Sequence, residues 1–369
     1  MRRIGRRASD NNAVPTAEVV ILQVDELTEA ASNPPPAEPG IAPDPAGSGA
    51  IRAEFRRAAA TAALPPGLLA AVRFGPATAD KPLGKGPLRI NVALTPLTPA
   101  VDTELWWAAG AVQHGSAGAI RYAHDEQRLI AVLELDEREH GGIVGAAAAA
   151  YSQMRQFQQQ SSFPHLLRIW NYLDAINQGV GDLERYREFC VGRTRGLGQA
   201  LAGSYPAATG IGHQHTTHCL QVYWLASRSP GTSIENPRQV SAYRYPRDHG
   251  PASPTFARAT LATDGTLLIS GTASIVGHVS KHGGDALAQL DETLRNLAAL
   301  NERADALRPA QSPPKDLLKV YLRDPTHLDT VVGKLEQAFP GGTAIYLAAD
   351  ICRSELLLEV ECLRLREGG

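Results

Sequence analysis

Two long stretches of the chain carry apolar side chains at three- and four-residue spacing, which is the period of a helix. The clearer one covers Asp285–Leu300, where leucine recurs at Leu287, Leu290, Leu294 and Leu297. The other covers about Val144–Gln159 and contains the alanine run Ala146–Ala150, a strong helix former. The pattern therefore predicts two long amphipathic helices in separate parts of the chain.

Each predicted helix is followed by a short apolar segment of similar design. His165–Trp170 and Asp316–Tyr321 both contain a leucine pair, a basic residue, a β-branched residue and an aromatic residue. Such segments are typical of buried strands. A second helix candidate follows each strand at the same spacing, the two ending at Phe189 and Phe339. Because the helices predicted before and after the two similar strands also correspond, the pattern indicates an internal duplication.

A hairpin pattern also precedes each long helix. Arg121–Leu135 turns at Asp125–Gln127, and Ala257–Ser270 turns at Thr263–Gly265. The predicted fold class is therefore α/β (α+β), with two similar halves. Each half is expected to be a mixed sheet with its helices packed on one face.

The beginning of the chain has a different composition. Asn33–Pro45 contains six prolines, and such a segment buries too little apolar surface to offset the entropy lost on ordering. We therefore predict a disordered or loosely attached tail at residues 1–50, in which Val19–Val24 could still dock as a strand or a helix. An N-terminal degenerate domain is predicted at 51–200 and a C-terminal catalytic domain at 201–369.

Composition excludes several classes of function. A net charge of −2 argues against nucleic-acid binding, and no stretch of about 18 apolar residues is present to span a membrane. The basic start, Met1–Arg7, is not followed by the apolar stretch of a signal peptide. The four cysteines form no CxxC pair, which fits a reducing compartment. We therefore expect a cytoplasmic protein.

One carboxylate stands in a strongly apolar setting near the end of the chain. Glu359 lies in Leu356–Val360, seven residues after Cys352. Burial among aliphatic side chains raises the pKa of a carboxyl group, as a general acid at neutral pH requires. Alternatively, Glu359 faces outward from a half-buried strand, and Cys352 is a small buried apolar residue.

Two groups of residues resemble cofactor motifs without completing them: His213, His215, His218 with Cys219, and Gly192, Gly196 with Gly198. The histidines could in principle hold zinc, but they belong to a loop that enters the predicted strand Leu220–Leu225. The glycines follow no strand, as a dinucleotide motif would. We expect neither a metal nor an organic cofactor.

The second half resembles the RidA/YjgF family, whose fold is chorismate-mutase-like. The similarity is carried by Leu268–Ser274, Asp285–Leu297, Asp316–Asp324 and Leu358–Glu361. Residues 51–365 as a whole resemble a narrower family, the chorismatases. The motifs that carry this second similarity are Leu167–Asn177, Glu184–Arg193, Asn236–Pro246, Gly271–Gly277 and Asp350–Arg353.

The resemblance implies an activity on chorismate without metal or organic cofactor. The family's catalytic acid matches Glu359, which would protonate the enolpyruvyl methylene carbon so that pyruvate is released. Cys352 matches the position that differs between subclasses. Cysteine there implies 3-hydroxybenzoate as the product, with 4-hydroxybenzoate as well in some members, whereas alanine implies hydrolysis to a dihydroxycyclohexadiene carboxylate.

Chorismate is a dianion, so its pocket needs cationic and hydroxyl donors. Arginine suits carboxylates because its planar fork binds them through two hydrogen bonds. The candidates near the family motifs are Arg193, Arg238, Arg244 and Arg258, with Tyr243 and Tyr245 as hydroxyl donors. Gly271 is added because a residue without a side chain lets substrate approach the backbone.

Other functions remain open at this point. A RidA-like imine or enamine hydrolase would bind the substrate carboxylate with an arginine fifteen residues before the glutamate, where this chain has Ala344. A non-catalytic metabolite-binding module and a chorismate hydrolase are further alternatives. The RidA resemblance also implies a homotrimer, or a monomer if the duplication replaces the subunit contacts.

Overall fold

The computed structural model describes residues 49–57, 64–76, 87–201, 203–309 and 313–366. The predicted tail, with its segment Val19–Val24, lies outside these ranges except for its last two residues. No helix among the described residues is both long and apolar enough to cross a lipid bilayer.

The first elements form a small sheet of their own. Their bounds are β1 Arg52–Arg56, β2 Leu68–Phe74, β3 Leu88–Val92, β4 Thr95–Pro96 and β5 Thr103–Trp107. Four of them pair in the order β1-β5-β2-β3, whereas β4 joins a later sheet. No helices or strands were predicted in this region.

The first of two large sheets has seven strands, six of them consecutive along the chain and the seventh, Asp350–Ile351, from near its end. Its elements are β6 Gln113–Ala117, β7 Ile120–His124, β8 Arg128–Asp136, helix α1 Ile143–Gln160, β9 His165–Asp174, helix α2 Arg185–Leu197, β10 Ala207–His213 and β11 Cys219–Ser227. Short 3-10 turns occupy Glu137–His140 and Gly181–Leu183. The predicted hairpin is confirmed as β7 and β8, and the first predicted strand as β9.

The second large sheet also has seven strands. The elements of this part of the chain are β12 Thr232–Ile234, β13 Ala259–Leu261, β14 Leu267–Thr272, β15 Ile275–Val276, β16 Val279–Ser280, helix α3 Ala286–Leu307, β17 Lys315–Leu322, helix α4 Leu328–Ala338, β18 Thr343–Ala348, β19 Asp350–Ile351 and β20 Leu358–Leu365. Three 3-10 turns lie at Ala242–Arg244, Arg247–His249 and Pro325–His327. The hairpin β15-β16 forms a separate two-stranded sheet.

The two large sheets have the same topology. Their strand orders are β19-β10-β9-β11-β8-β7-β6 and β4-β18-β17-β20-β14-β13-β12 when read in the same direction. In each, the strand after the long helix runs parallel to one neighbour and antiparallel to the closing strand. The predicted duplication and the mixed α/β fold are therefore confirmed.

The layers follow from the alternation of side chains along the strands. Apolar residues on one face of the first sheet pack under α1 and α2, and those on one face of the second pack under α3. The opposite faces of both sheets share a third core with the small N-terminal sheet. The prediction that helices cover one face of each sheet is confirmed, and the inner faces meet in the interior.

Several predicted boundaries need correction. The helix expected to end at Phe189 continues to Leu197. Helix α3 continues beyond Leu300 to Leu307. The prediction missed the last turns of α3 because they are polar and lack the leucine repeat. The first sheet also includes β10 and β11, so its strands extend to Ser227. The predicted domain boundary at residue 200 therefore falls before β10 and β11, two strands of the first sheet.

Candidate active site

The closing strand β20 directs two carboxylates into the interior between the sheets. Leu358, Val360 and Cys362 pack on the helix-bearing face of the second sheet. Glu359 and Glu361 alternate with them and therefore project from the opposite face. Both are buried, with 4% and 3% of their surface exposed. The alternative that Glu359 faces solvent is wrong.

Glu359 lines a cavity of about 320 Å³ at the junction of the two halves. On one side lie Ala208–Gly210 of β10, and on the other Gly271 of β14. A hydrogen bond of 2.9 Å from the Ala208 amide to Ser270 Oγ joins these two strands. Helix α2, the loop before β13 and the segment after β19 complete the wall.

The environment of Glu359 favours the protonated carboxyl group. Burial, reinforced by the negative charge of Glu361, raises its pKa to about 8. The positive charges of Arg168 and Arg258 act in the opposite direction but are smaller influences. At neutral pH Glu359 is therefore a carboxylic acid that faces a cavity, which is the form a general acid must have.

Cys352 reaches the cavity because two separate strands, β19 and β20, lie on either side of it in this part of the chain. The short strand β19 crosses to the first sheet, where Ile351 pairs with Ile211 of β10. The turn that follows is held by Arg323, which donates to the backbone oxygens of Leu356 (2.9 Å) and Ile351 (3.1 Å). This turn places Cys352 in the cavity wall.

The Cys352 thiol is a small apolar group in this setting. It packs against Ala273, Ile275, Ile351 and Leu356. Burial, together with the nearby Glu359 carboxyl, raises the pKa of the thiol above its ordinary value. A thiol that stays protonated is a poor nucleophile, and this one lies among apolar side chains in the cavity wall.

Two of the predicted arginines lie in the cavity wall, and both are almost fully buried. Arg193 donates from Nη2 to the Thr255 backbone oxygen at 2.8 Å. Arg258 donates from Nη2 to the Tyr245 hydroxyl at 2.7 Å and to the Val240 backbone oxygen at 3.0 Å. A guanidinium group has five N–H donors, so each of these arginines retains donors for an anion.

Arg353 and Tyr245 also line the cavity; Tyr245 is one of the predicted hydroxyl donors, whereas Arg353 is not among the predicted binding residues. Arg353 donates to the His278 backbone oxygen at 2.9 Å and lies 5.4 Å from the centre of the Tyr245 ring. His249 completes this wall, with its Nε2 2.9 Å from Nδ1 of His278. The position of Arg353 next to Cys352 was the signal in the sequence that could have identified it.

Three predicted binding residues do not line the cavity, and their binding role stays a prediction. Arg238 forms an ion pair with Glu292, and Tyr243 packs on Tyr205 with ring centroids 4.9 Å apart. Arg244 is exposed and lies over the Tyr243 ring. The turn Ala242–Arg244 carries these side chains outward, so that the following tyrosine, Tyr245, is the one that faces inward.

Gly271 lies in the cavity wall as predicted, but the group that approaches it is a protein side chain. A Cβ atom at this position would lie 1.8 Å from Oε1 of Glu359. The missing side chain therefore makes room for the carboxyl group. The prediction that the glycine admits substrate to the backbone stays untested.

The histidine group takes part in a hydrogen-bonded loop. His213 Nδ1 lies 2.8 Å from the His215 backbone oxygen and 3.1 Å from the Asp174 carboxylate. In the part of the chain that the structure describes, no cluster of three or more His, Cys, Asp or Glu side chains is arranged to hold a metal ion.

Comparison with known proteins agrees with this geometry. Residues 104–226 match the family described as "Chorismatase FkbO/Hyg5-like, N-terminal". The chain is 34% identical over 291 residues to a 3-hydroxybenzoate synthase of Streptomyces hygroscopicus, covering 74% of this chain and 84% of that protein. It is 36% identical over 298 residues to a chorismatase of Streptomyces rapamycinicus, with coverages of 76% and 87%.

A solved structure gives the same result for the whole fold. The crystal structure of a chorismatase superimposes with a TM-score of 0.74 at 32% sequence identity. The match covers 85% of this chain and 98% of that one. The likeness therefore includes both halves of the chain.

Proposed function

The chain belongs to the chorismatase family, and from this premise we propose that it converts chorismate to 3-hydroxybenzoate and pyruvate. The observation that carries the proposal is the Glu359 carboxyl group, buried in the cavity wall with a pKa of about 8. A cavity of about 320 Å³ has room for one small cyclic dianion.

Glu359 is proposed as the general acid. An enol ether is unreactive until its methylene carbon is protonated, and protonation gives an oxocarbenium ion from which pyruvate can be released. Loss of the proton leaves Glu359 as a carboxylate, which the charges of Arg258 and Arg168 then stabilise. Chorismate contains all the atoms of both products. The proton that Glu359 donates is therefore balanced by the one the ring loses when it becomes aromatic.

The two carboxylates of the substrate need cationic partners. Arg193, Arg258 and Arg353 lie in the wall of the same cavity as Glu359, and we assign the binding of the carboxylates to these three residues. Their fixed hydrogen bonds to the protein orient each guanidinium group before substrate arrives, which reduces the ordering cost of binding.

Cys352 is proposed to determine the product. Its protonated thiol packs on apolar side chains, and a water molecule between the thiol and these side chains would lack strong hydrogen-bond partners. The substrate's own hydroxyl group then takes part in expelling the pyruvyl group, the ring aromatises, and hydrolysis to the dihydroxycyclohexadiene carboxylate is avoided.

The test is incubation of the purified protein with chorismate, followed by chromatographic separation of the products. We expect the amount of pyruvate to equal the sum of 3-hydroxybenzoate and any 4-hydroxybenzoate. Formation of the dihydroxycyclohexadiene carboxylate alone would show a hydrolase instead. Unchanged chorismate, with hydrolysis of imines under the same conditions, would favour the RidA-like alternative.

A further inference from the structure

A second buried carboxylate, Glu361, lies two residues from Glu359 on the same face of β20 and does not line the cavity. Its oxygens accept hydrogen bonds from Arg168 Nη2 (2.7 Å), Trp170 Nε1 (2.9 Å) and Thr209 Oγ1 (2.6 Å). Lys319 Nζ lies 2.7 Å away. Although burial opposes ionisation, Lys319 and Arg168 hold its pKa below the ordinary value. Glu361 is therefore a fixed negative charge directly beside the proposed acid.

Thr209 connects this charge to the wall of the cavity. Its hydroxyl group donates to Glu361 and accepts the Gly271 backbone N–H at 2.9 Å. Because the single hydroxyl hydrogen points to Glu361, the lone pairs of the oxygen are directed toward the N–H donors. Arg168 Nη2 also donates to this oxygen. The Thr209 side chain therefore has one orientation.

Gly271 is the next link and lies against the acid itself. The space where its Cβ atom would stand is filled by Oε1 of Glu359. A shift of the Gly271 backbone would therefore move or release the Glu359 carboxyl group. Two hydrogen bonds therefore connect Glu361 through Thr209 to the Gly271 backbone, against which the Glu359 carboxyl group packs.

The charges that face Glu359 explain why it keeps a proton. Arg168 from β9 and Lys319 from β17 are paired with Glu361, and Lys319 also with Glu104 of β5 at 2.9 Å. These two cations and two carboxylates balance. A negative charge on Glu359 would also be stabilised by Arg258, whereas Tyr186 and Cys352 remain protonated and add no charge.

We infer that Glu361 and Thr209 are positioning residues for the acid: the fixed charge of Glu361, acting directly and through Thr209 and Gly271, holds the Glu359 carboxyl group protonated and turned to the cavity. This inference rests on the proposed function. It assigns a role in the reaction to two residues that need not touch substrate in order to act.

The first test is the pH dependence of kcat/KM for chorismate, which reports the ionisation of the free enzyme. In the wild type we expect activity to fall as the pH rises through about 8, where Glu359 loses its proton. Glu361→Gln keeps the size of the side chain and removes its charge. In this variant the fall in kcat/KM should begin at a pH at least about one unit lower than in the wild type. At a pH above both midpoints the variant should therefore be about tenfold less active than the wild type.

The control is Glu336→Gln, which removes a charge from the exposed surface of α4 and should leave the profile unchanged. A Glu361→Gln profile identical to that of the wild type would overturn the inference. If the wild type does not consume chorismate at all, the proposed function itself fails. The two failures are therefore distinguishable.

A second pair of variants keeps the inference testable if Glu361→Gln does not fold. Thr209→Val preserves the shape of the side chain but removes the hydroxyl group, and we expect kcat to fall about tenfold, in line with loss of a positioning contact near reacting atoms. Thr209→Ser restores the hydroxyl group and should recover most of the loss. Equal activity of the valine and serine variants would contradict the inference.

Discussion

Two glutamates in one strand, only two residues apart, have pKa values shifted in opposite directions. The pKa of Glu359 is raised to about 8, and the pKa of Glu361 is lowered. The apolar sequence Leu356–Val360 was enough to predict the first, because burial alone raises the pKa of a carboxyl group. The second depends on Arg168 and Lys319, and Arg168 lies almost two hundred residues earlier in the chain. No local pattern could reveal that partner.

The role of Cys352 gives a prediction at this scale. In Cys352→Ala the sulfur is lost and the cavity gains space beside Glu359, so water can enter. We expect the product to shift from 3-hydroxybenzoate toward the dihydroxycyclohexadiene carboxylate while pyruvate release stays within about tenfold. Chromatography of the products measures the ratio, and Cys219→Ala, remote from the cavity wall, is the control. An unchanged ratio would refute the assignment.

Among the elements, α2 shows most clearly where local sequence misled the prediction. The helix was predicted to end at Phe189, but α2 continues through Gly192 and Gly196 to Leu197, although glycine is unfavourable inside helices. The structure shows why they are tolerated. A Cβ atom on Gly192 would lie 2.3 Å from the Val144 backbone oxygen, and one on Gly196 would lie 2.5 Å from that of Ala148. The glycines let α2 pack closely on α1, which positions the cavity face of α2.

This close contact leads to a prediction for the element. Gly192→Ala should force α2 away from α1 and lower the free energy of unfolding by about 1–3 kcal/mol. Because α2 carries Arg193, the KM for chorismate should rise as well. Gly333→Ala in α4 is the matched control, since no atom lies within 4 Å of its Cβ position. It should be neutral or slightly stabilising. Urea unfolding compares the two, and equal stability would contradict the packing account.

At the scale of the whole molecule, one fold occurs twice and only one copy carries the acid. In the strand pairing of the second half, Glu359 lies opposite Tyr321 and Glu361 opposite Lys319. At the corresponding positions of the first half, Tyr223 takes the place of Glu359 and Leu225 the place of Glu361. The duplication was visible in the sequence because both halves keep the same strand pattern. The cavity was not, because it forms between β10 of one half and β14 of the other.

The small N-terminal sheet and the two large sheets all contact the buried ammonium group of Lys319. Lys319 Nζ lies 2.9 Å from Glu104 of the N-terminal sheet, 2.7 Å from Glu361 of the second large sheet and 3.3 Å from the Tyr223 hydroxyl of the first. Removing one member of a buried ionic network leaves the others without compensation. This residue therefore links the parts of the molecule.

Lys319→Met should accordingly lower the free energy of unfolding by about 3–5 kcal/mol. Lys334→Met provides a control with the same chemical change, since Lys334 pairs with Asp291 at the surface and such pairs contribute about 1 kcal/mol or less. Urea denaturation of both variants measures the difference. Similar losses for the two would show that the interior network does not join the sheets.

The central claim is that the buried carboxyl group of Glu359 supplies the proton that starts the reaction. Its most direct test is the initial rate of pyruvate release from chorismate by the wild type and by Glu359→Gln at pH 7. The amide has the same shape but no acidic proton, so we expect the rate to fall by about 1000-fold or more, with an unchanged circular dichroism spectrum. A folded Glu359→Gln variant that keeps a rate within tenfold of the wild type would contradict the account.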